Sequence, residues 1–323
     1  MRVSVVGTGH LGSIHAKLLA QHADVRLVGV VDPDEDKGRA VASLHGADWY
    51  PSLESMPDVD AVIVASPTST HFDVVMQAVA RGMHCFVEKP ATATHAEAVQ
   101  LLNHLNDSPI VVQVGHVERF NPAVRVLHRL DMRPLFIEVH RLAPFKPRAI
   151  DVSVVHDLMI HDIDLLLWLT GSTVTDIQAT GVRVLTDTID ICNARLTFAS
   201  GCVANVTASR ITASPMRKLR VFQPDHYVSL DMAAGTAELY RLIDAAAVDP
   251  SHQTPLGMVT TQYGDRVIVH DTPEIAPSNA ILEEQRSFFE SIRSQQPVAV
   301  SLAEGAEAIR IAEWITDLVT KSV

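Results

Sequence analysis

The first 115 residues alternate short apolar runs with segments in which apolar residues recur every three or four positions. The runs are rich in Val and Ile and predict buried strands, while the recurring pattern predicts amphipathic helices. Strands that alternate with helices predict βαβ units, and therefore a parallel sheet covered on both faces. The predicted strands are 3–6, 27–31, 61–65, 84–87 and 110–114, and the predicted helices are 11–21, 34–45, 71–81 and 92–105.

The pattern changes after about residue 117, which predicts a domain boundary there. Longer stretches of alternating apolar and polar residues follow, as is typical of antiparallel strands with one buried face. We therefore predict an α/β domain with a parallel sheet over 1–117, and an α+β domain with a large, mostly antiparallel open sheet over 118–323. Its predicted strands are 135–142, 176–185, 190–199, 202–211, 217–223 and 226–232, and its helices are 154–169, 278–294 and 302–320.

Two of these strands, 190–199 and 202–211, are predicted to form a hairpin. A three-residue loop puts all apolar side chains on one face, whereas a two-residue loop would mix apolar and polar residues on both faces. The three-residue loop also puts Gly201 where a left-handed backbone is needed. The polar face is then available to solvent or to a partner subunit. The predicted pairs are Phe198 with Cys202, Leu196 with Ala204, Ala194 with Val206 and Cys192 with Ala208.

The composition is that of a globular protein, with 47% hydrophobic and 20% charged residues in a chain of 323. The 26 basic and 38 acidic residues give a net charge of −12, which excludes nucleic acid and anionic membranes as partners of the whole molecule. No apolar run approaches the roughly 18 residues that cross a membrane. The chain opens on a predicted strand, and its three cysteines form no CxxC pair, so we expect a protein of the reducing cytoplasm without a signal peptide.

One segment departs from the acidic average. Between Arg119 and Arg148 there are seven basic residues and only two acidic ones, a net charge of +5. Such a segment would attract one small diphosphate, whereas a neutral polyol would not need it. Arg119 and Arg148 are therefore predicted substrate ligands, and the run from Arg217 to Arg220 is a further candidate.

A glycine-rich pattern follows the first predicted strand. Gly7, Gly9 and Gly12 form a GxGxxG pattern that precedes a helix, and Asp32 lies twenty residues further, at the end of the second strand. The first glycine allows a tight turn, the second allows a pyrophosphate to approach the backbone, and the third allows the helix to pack closely on the strand. The helix N-terminus supplies N–H groups to the phosphates. The first domain is thus predicted to be a dinucleotide-binding Rossmann domain.

The acidic residue selects between the two nicotinamide dinucleotides. Asp32 would accept hydrogen bonds from the ribose hydroxyls, and its charge would repel a 2′-phosphate. No arginine follows directly, although Lys37 and Arg39 are not far along the chain. We therefore expect NAD as the cofactor in preference to NADP.

Two further signals lie at the carboxyl ends of predicted strands, where open α/β sheets bind their ligands. The stretch Ser66-Pro67-Thr68-Ser69-Thr70-His71 follows the strand at 61–65, and Glu88-Lys89-Pro90 follows the strand at 84–87. With the glycine turn, they complete the predicted cofactor site. Its residues are Gly7, Gly9, His10, Leu11, Gly12, Asp32, Ser66, Pro67, Thr68, His71, Glu88 and Lys89.

The helix predicted over 154–169 carries a third signal. Asp157, His161 and Asp164 have spacings of four and three, so they would share one helix face. An imidazole beside a carboxylate is suited to proton transfer near neutral pH. A hydrogen-bonded helix start is the alternative interpretation. His156, His161 and the aspartates are also metal-ligand types, but without an HExxH pattern or a cysteine pair we predict no metal.

Together these signals resemble the Gfo/Idh/MocA family of oxidoreductases over essentially the whole chain. The stretches 115–122, with Asn121, and 151–164 resemble the branch that oxidises UDP-N-acetylglucosamine at C3 on the way to amide-linked lipid A. The resemblance implies Lys89, Asp157 and His161 as catalytic residues. His161 would remove the hydroxyl proton while Asp157 orients it and Lys89 holds the oxygen. It also implies a dimer or tetramer.

Three functions remain open from the sequence. The first is oxidation of a sugar-nucleotide hydroxyl, with Arg119, Asn121, Arg148, Asp157 and His161 as substrate ligands. The second is a dehydrogenase of a free sugar, inositol or other polyol. The third is a dinucleotide-binding sensor without turnover, against which the presence of all three catalytic residue types argues.

Overall fold

The computed structural model describes residues 1–106, 108–147, 150–249, 253–262 and 264–321 and divides into two compact units. Unit 1 contains Met1–Val117 and Asn279–Glu313, and unit 2 contains Glu118–Ser278 and the described residues from Trp314 onward. The division differs from the predicted one, which assigned 279–313 to the second domain. The reason is packing, because Phe288 and Phe289 are buried in the hydrophobic cluster of the parallel sheet.

Unit 1 is built on a six-stranded parallel sheet. The strands are β1 (Arg2–Val6), β2 (Arg26–Val31), β3 (Asp48–Tyr50), β4 (Ala61–Val64), β5 (His84–Glu88) and β6 (Val112–Gly115). Their order in the sheet is β3-β2-β1-β4-β5-β6. Strands are added on one side of β1 up to β3 and on the other side from β4, so the topological switch point lies between β1 and β4. The Rossmann prediction is confirmed. The three-residue strand β3 was not predicted, because it is too short to show a period.

The helices of unit 1 lie between these strands. They are α1 (His10–Leu19), α2 (Glu35–His45), α3 (His71–Ala80) and α4 (His95–His104). Local sequence sets their ends: Asp34 caps α2 through the backbone N–H of Lys37, and Gly46 ends it in a left-handed conformation. Thr94 and Glu97 form a reciprocal capping box at the start of α4.

Unit 2 is built on a nine-stranded sheet. The strand order is β14-β15-β13-β12-β11-β7-β10-β9-β8, and among the described strands only β7 and β10 run parallel. The predicted antiparallel open sheet is confirmed. The strands are β7 (Phe136–Leu142), β8 (Val174–Val182), β9 (Ile191–Phe198), β10 (Val203–Ser209), β11 (Met216–Phe222), β12 (His226–Asp231), β13 (Thr236–Asp244), β14 (Thr254–Thr261) and β15 (Gly264–Asp271).

The predicted hairpin register is confirmed by β9 and β10. Leu196 pairs with Ala204, Ala194 with Val206, and Cys192 with Ala208. Gly201 has a φ of +86°, the left-handed conformation that the three-residue loop requires. The last three strands in chain order, β13, β14 and β15, were not predicted. In β14 nearly every residue is exposed, so this edge strand has no buried face to impose an alternating pattern.

Helix α5 (Ile160–Thr170) belongs to unit 2 and ends at Gly171 in a left-handed conformation. A π-helical turn, Val155–Met159, precedes it. Near the C-terminus lie α6 (Ala280–Ser294), in unit 1, and α7 (Leu302–Lys321). None of the helices among the described residues is both long and apolar enough to span a membrane.

Candidate active site

The turn after β1 shows why it contains three glycines. Gly7 has a φ of +91°, and a Cβ there would lie 2.6 Å from the backbone of Ser66. A Cβ on Gly12 would lie 1.8 Å from the carbonyl oxygen of Gly7. The first glycine therefore permits the turn, and the third permits α1 to pack against it.

Gly9 differs from the other two, because a Cβ at this position would meet no protein atom within 4 Å. It is the N-cap of α1, has no side chain to cap the helix, and is followed by the exposed residues His10 and Leu11. The first turn of α1 contains no acidic residue. Open space beside uncapped N–H groups fits a dinucleotide pyrophosphate.

Asp32, at the end of β2, is fixed against this turn. One carboxylate oxygen accepts hydrogen bonds from the N–H and the hydroxyl of Thr8, at 2.8 and 2.6 Å, and the other accepts from the N–H of Asp34 at 2.9 Å. The nearby cations are also engaged: Lys37 pairs with Asp34 at 2.6 Å, and Arg39 pairs with Glu35. This arrangement would offer a carboxylate, and not an unpaired arginine, to a dinucleotide ribose.

His71 connects the loops that follow β4 and β5. The ring is buried, with Nε2 2.9 Å from the carbonyl oxygen of Ser66 and Nδ1 2.9 Å from that of Pro90. Burial lowers the pKa of His71, while the two carbonyl oxygens act against this shift. Pro67 and Thr68 lie in the same loop, where a 3-10 turn spans Thr68–Thr70.

Glu88 and Lys89 end β5. Glu88 is buried, and its carboxylate contacts His15 Nε2 at 2.8 Å and accepts from the backbone N–H of Lys89 at 3.3 Å. Lys89 is half-buried. Unit 1 thus brings together the glycine turn, Asp32, the loop 66–71 and the Glu88–Lys89 pair at the carboxyl ends of parallel strands, as predicted for ligand binding in an open α/β sheet.

The helix that carries Asp157 and His161 is not regular. Asp157 lies in the π-helical turn, and His161 follows in α5, so their four-residue spacing crosses a change of helical pitch. The prediction of one α-helix over 154–169 is wrong at this point. Both side chains are half-buried. A π-helical turn inside a helix is frequent at functional sites.

Arg119 does not serve the purpose that the sequence suggested. It is 5% exposed, and its guanidinium donates to both carboxylate oxygens of Asp164 at 2.8 and 2.6 Å. A planar, bidentate, buried ion pair of this kind holds the segment around Arg119 against helix α5. We therefore remove Arg119 from the predicted phosphate ligands, and Asp164 from the predicted proton-transfer group.

Arg141 neutralises two further acids in unit 2. It occupies an inward position of β7 and pairs with Asp162 and with Glu118, each at 2.8 Å. Burial alone would lower the pKa of Arg141, but the charges of Asp162 and Glu118 outweigh it and raise the pKa. The positive charge of the segment 119–148 is thus partly offset by acids that the fold brings to it.

Two other predicted substrate ligands have different outcomes. The Asn121 amide donates to Glu118 at 3.0 Å and to the carbonyl oxygen of Met232 at 3.1 Å, and its oxygen accepts from Ala123 N–H at 3.0 Å. These hydrogen bonds give the Asn121 side chain a structural role, so we also remove it from the predicted substrate ligands. Arg148 lies outside the described residues.

The run from Arg217 to Arg220 lies on β11. Arg220 pairs with Glu138 at 3.0 Å, and Lys218 lies 4.0 Å from Asp231. Arg217 is 53% exposed and its only recorded ion pair in the described part of the chain, with Glu118, is long at 3.7 Å. Of the predicted cations on this run, Arg217 is the one best able to reach an anion.

Sequence reasoning missed a buried polar group in unit 1, which consists of His15, Glu284 and Gln285. Gln285 donates to His15 Nδ1 at 2.9 Å, although 270 residues separate them. The sequence did contain a signal for this group, because Glu284 and Gln285 lie on the stripe of α6 that also carries Phe288 and Phe289.

The three cysteines are buried and free, and burial raises the pKa of Cys85 and Cys192 to about 12.

Comparison with known proteins agrees with this architecture. Residues 1–116 match the family model described as an oxidoreductase family with an NAD-binding Rossmann fold, and residues 134–225 match that of the GFO/IDH/MocA C-terminal domain. The chain is 36% identical to UDP-N-acetylglucosamine 3-dehydrogenase of Acidithiobacillus ferrooxidans, over 97% of this chain and 95% of the relative.

The chain belongs to the Gfo/Idh/MocA family of oxidoreductases. The solved structure of the A. ferrooxidans dehydrogenase has a TM-score of 0.87 and covers 99% of this chain and 98% of its own. A scyllo-inositol 2-dehydrogenase (NAD(+)) of Bacillus subtilis is 32% identical over 65% of this chain and 67% of the relative. As a family member, the chain is an oxidoreductase whose first domain binds NAD, and the predicted family resemblance is confirmed.

Proposed function

We propose that this Gfo/Idh/MocA protein is an NAD-dependent dehydrogenase of a sugar nucleotide, and that it oxidises UDP-N-acetylglucosamine to the 3-keto sugar. The observation that carries the proposal is the similarity to the A. ferrooxidans dehydrogenase, which extends over both units with nearly equal chain lengths. Family membership alone does not choose between sugar nucleotides and inositols, because both kinds of dehydrogenase are among the relatives.

Oxidation of an alcohol removes a hydride from carbon and a proton from oxygen. NAD would supply the hydride acceptor, and the residues around Gly9, Asp32 and the loop 66–71 would hold it. His161 takes the hydroxyl proton as general base, and Asp157 orients the imidazole and balances its charge. Lys89 donates a hydrogen bond to the substrate oxygen as its negative charge develops.

The diphosphate of the substrate needs a cation. We propose Arg217 for this role, together with the predicted Arg148. Arg217 is exposed and only weakly engaged by Glu118. An arginine fork suits a phosphate because it offers two parallel N–H donors.

The product, a 3-keto sugar nucleotide, is a substrate for a reaction that adds an amino group, as in the formation of amide-linked lipid A. Because the proposed reaction uses NAD and a nucleotide sugar, we propose that it takes place in the cytoplasm. No step requires a metal ion.

We also propose that the chain forms a homo-oligomer, a dimer or a tetramer. Support comes from a row of aromatic rings across five strands of the large sheet, in which neighbouring centroids lie 4.6–5.7 Å apart and Phe222 is 38% exposed. The row consists of Phe136, Phe222, Tyr227, Tyr240 and His270. Light scattering during size-exclusion chromatography measures the molar mass of the protein in solution, and therefore the number of subunits.

The decisive experiment compares NADH formation with three substrates: UDP-N-acetylglucosamine, free N-acetylglucosamine and myo-inositol. We expect absorbance of NADH with the first and none with the other two. Turnover of myo-inositol alone would establish the polyol alternative. Binding of NAD without turnover of any sugar nucleotide or polyol would leave a dinucleotide sensor.

A further inference from the structure

Three ionisable side chains are enclosed together in unit 1. They are His15 of α1, Glu88 at the end of β5 and Glu284 of α6; His15 and Glu284 have no exposed surface, and Glu88 is 7% exposed. One ring nitrogen of His15 and one carboxylate oxygen from each glutamate lie within 4.8 Å of one another. Two carboxylates this close, out of water, repel each other strongly unless one of them is neutralised.

The hydrogen on His15 can be located from its neighbours. The Gln285 amide nitrogen lies 2.9 Å from His15 Nδ1 and 3.3 Å from the His15 carbonyl oxygen. A carbonyl oxygen only accepts, so this atom is the donor and Nδ1 accepts. Nε2 therefore carries the imidazole hydrogen and donates it to Glu88 at 2.8 Å. The Gln285 oxygen contacts His22 Nε2 at 3.0 Å. Hydrogen bonds thus connect Glu88, His15, Gln285 and His22 in series.

The two glutamates have different surroundings. Glu88 accepts hydrogen bonds from His15 and from the Lys89 N–H, as a carboxylate requires. Neither side-chain oxygen of Glu284 has a hydrogen-bond partner among the described residues. Burial, followed by the like charge of Glu88, raises the pKa of Glu284 well above its ordinary value.

Two residues of the parallel sheet act on Glu284, and neither is a cation. Gln113 of β6 donates its amide to the Glu284 carbonyl oxygen at 3.0 Å, and Glu88 of β5 is the charged group that acts on Glu284. His15 directs its hydrogen at Glu88. None of these groups, within the part of the chain that the structure describes, supplies Glu284 with a positive charge.

We propose that Glu284 is a neutral carboxylic acid in the folded protein, and that His15 is a positioning residue for Lys89. His15 would hold the Glu88 carboxylate in one orientation, and the Glu88 carboxylate holds the Lys89 backbone through its N–H. The proposal rests on the proposed function for the importance of Lys89, but the neutral state of Glu284 can be tested without turnover.

A divalent cation is the competing way to neutralise this group, because histidine and carboxylates are common metal ligands. The hydrogen-bond directions oppose it. A metal-bound Nε2 must present a lone pair, whereas here Nε2 carries a hydrogen that points to Glu88. Metal analysis of the purified protein tests this alternative, and a stoichiometric metal ion would overturn the proposal.

The first test is spectroscopic. Infrared difference spectra between the wild type and Glu284→Gln, recorded at neutral pH, should contain the carbonyl stretch of one protonated carboxylic acid. Glu290→Gln, on the same helix but exposed, is the matched control and should lose only a carboxylate band. A carboxylate band lost in Glu284→Gln would overturn the proposal.

The second test is the dependence of stability on pH. A carboxyl with a raised folded pKa contributes stability that is lost as pH rises from the ordinary glutamate range through the folded pKa. Glu284→Gln, which mimics the neutral acid, should escape this loss. Its Tm should exceed that of the wild type by roughly 2–4 °C or more at pH 8, and the difference should shrink toward pH 5. A lower Tm for the variant at pH 8 would contradict the proposal.

The third test separates positioning from folding. His15→Leu removes the donor to Glu88 and should lower kcat by about 10- to 100-fold with an unchanged KM for NAD, since a small misplacement of a reacting group has effects of this size. His15→Gln can donate from its amide and should recover most of the activity. Glu284→Gln should keep kcat within about twofold. An equal loss in His15→Gln and His15→Leu would overturn the positioning role.

These outcomes separate the two proposals. If no sugar nucleotide is oxidised but the infrared band and the pH dependence of Tm are as expected, the proposed function fails and the neutral acid stands. If turnover is normal and Glu284 is ionised, the inference fails and the proposed function stands. If His15→Leu does not fold, the Glu284→Gln measurements still decide the protonation state.

Discussion

Single residues in the turn after β1 have separable tasks. Gly12 is required by the protein itself, because a Cβ would collide with the Gly7 carbonyl oxygen at 1.8 Å. Gly9 is not, because a Cβ there would meet no protein atom within 4 Å. Folding therefore does not require the glycine at position 9, and we attribute it to the proposed contact with the dinucleotide.

This difference predicts opposite behaviour for two alanine variants. Gly9→Ala should leave Tm within about 2 °C of the wild type and weaken NAD binding at least about tenfold, because the added methyl group lies where the pyrophosphate approaches. Gly12→Ala should lose about 3 kcal/mol of stability through overpacking. Calorimetry for NAD and thermal unfolding measure the two effects. Equal destabilisation by both variants would contradict the distinction.

His161 is the residue on which the proposed chemistry depends most. His161→Ala should lower kcat by about 10²- to 10⁴-fold, the usual contribution of a general base, and leave the Kd for NAD unchanged. His104→Ala, an exposed histidine on α4, is the matched control and should keep full activity. Retention of more than half the wild-type kcat in His161→Ala would show that another group is the base.

At the scale of elements, the connection between β8 and β9 depends on one carboxylate. Asp190 has no exposed surface, and a single side-chain oxygen accepts from the N–H groups of Val184, Leu185 and Thr186 at 2.7–2.9 Å. Burial opposes ionisation, but these three N–H groups lower the pKa of Asp190 to about 2. The charged carboxylate therefore organises the loop.

A pH-dependent loss of stability follows. A carboxyl with a lowered pKa contributes stability that is present above its unfolded pKa and is lost as pH falls through the folded pKa. Asp190→Asn should cost about 2 kcal/mol at pH 7, and the difference from wild type should disappear between about pH 4 and pH 2. Asp187→Asn, exposed in the same loop, is the control. Denaturant titrations across this range provide the measurement, and a difference independent of pH would refute the account.

At the scale of the whole molecule, the net charge of −12 conceals how positive residues are used. Arg119 and Arg141 are buried and neutralised by acids of the helix that follows them in the chain. They stabilise unit 2 and do not form a positive surface. The attraction of the proposed sugar-nucleotide substrate to this acidic molecule would then depend on exposed cations.

Arg217 is the proposed cation for the substrate diphosphate. Arg217→Ala should raise the KM for UDP-N-acetylglucosamine about tenfold or more, since a hydrogen bond to a charged group contributes about 1.5–3 kcal/mol. The KM for NAD and kcat should change less than about twofold. The effect should diminish at high salt, which screens exposed charges. Arg133→Ala, 79% exposed and paired with Asp131, is the control, and an equal rise of KM in both variants would exclude a specific role for Arg217.

The sequence by itself determined the features that depend on short spacings. The βαβ order, the glycine turn with Asp32 and the register of β9 with β10 all follow from periodicity or from one local backbone requirement. The tertiary structure decided the features that depend on distant partners. Arg119 meets Asp164, residues 279–313 join the first unit, and Gln285 reaches His15 across the chain. Burial decides whether a polar side chain is a ligand or a structural partner, and no local pattern contains that information.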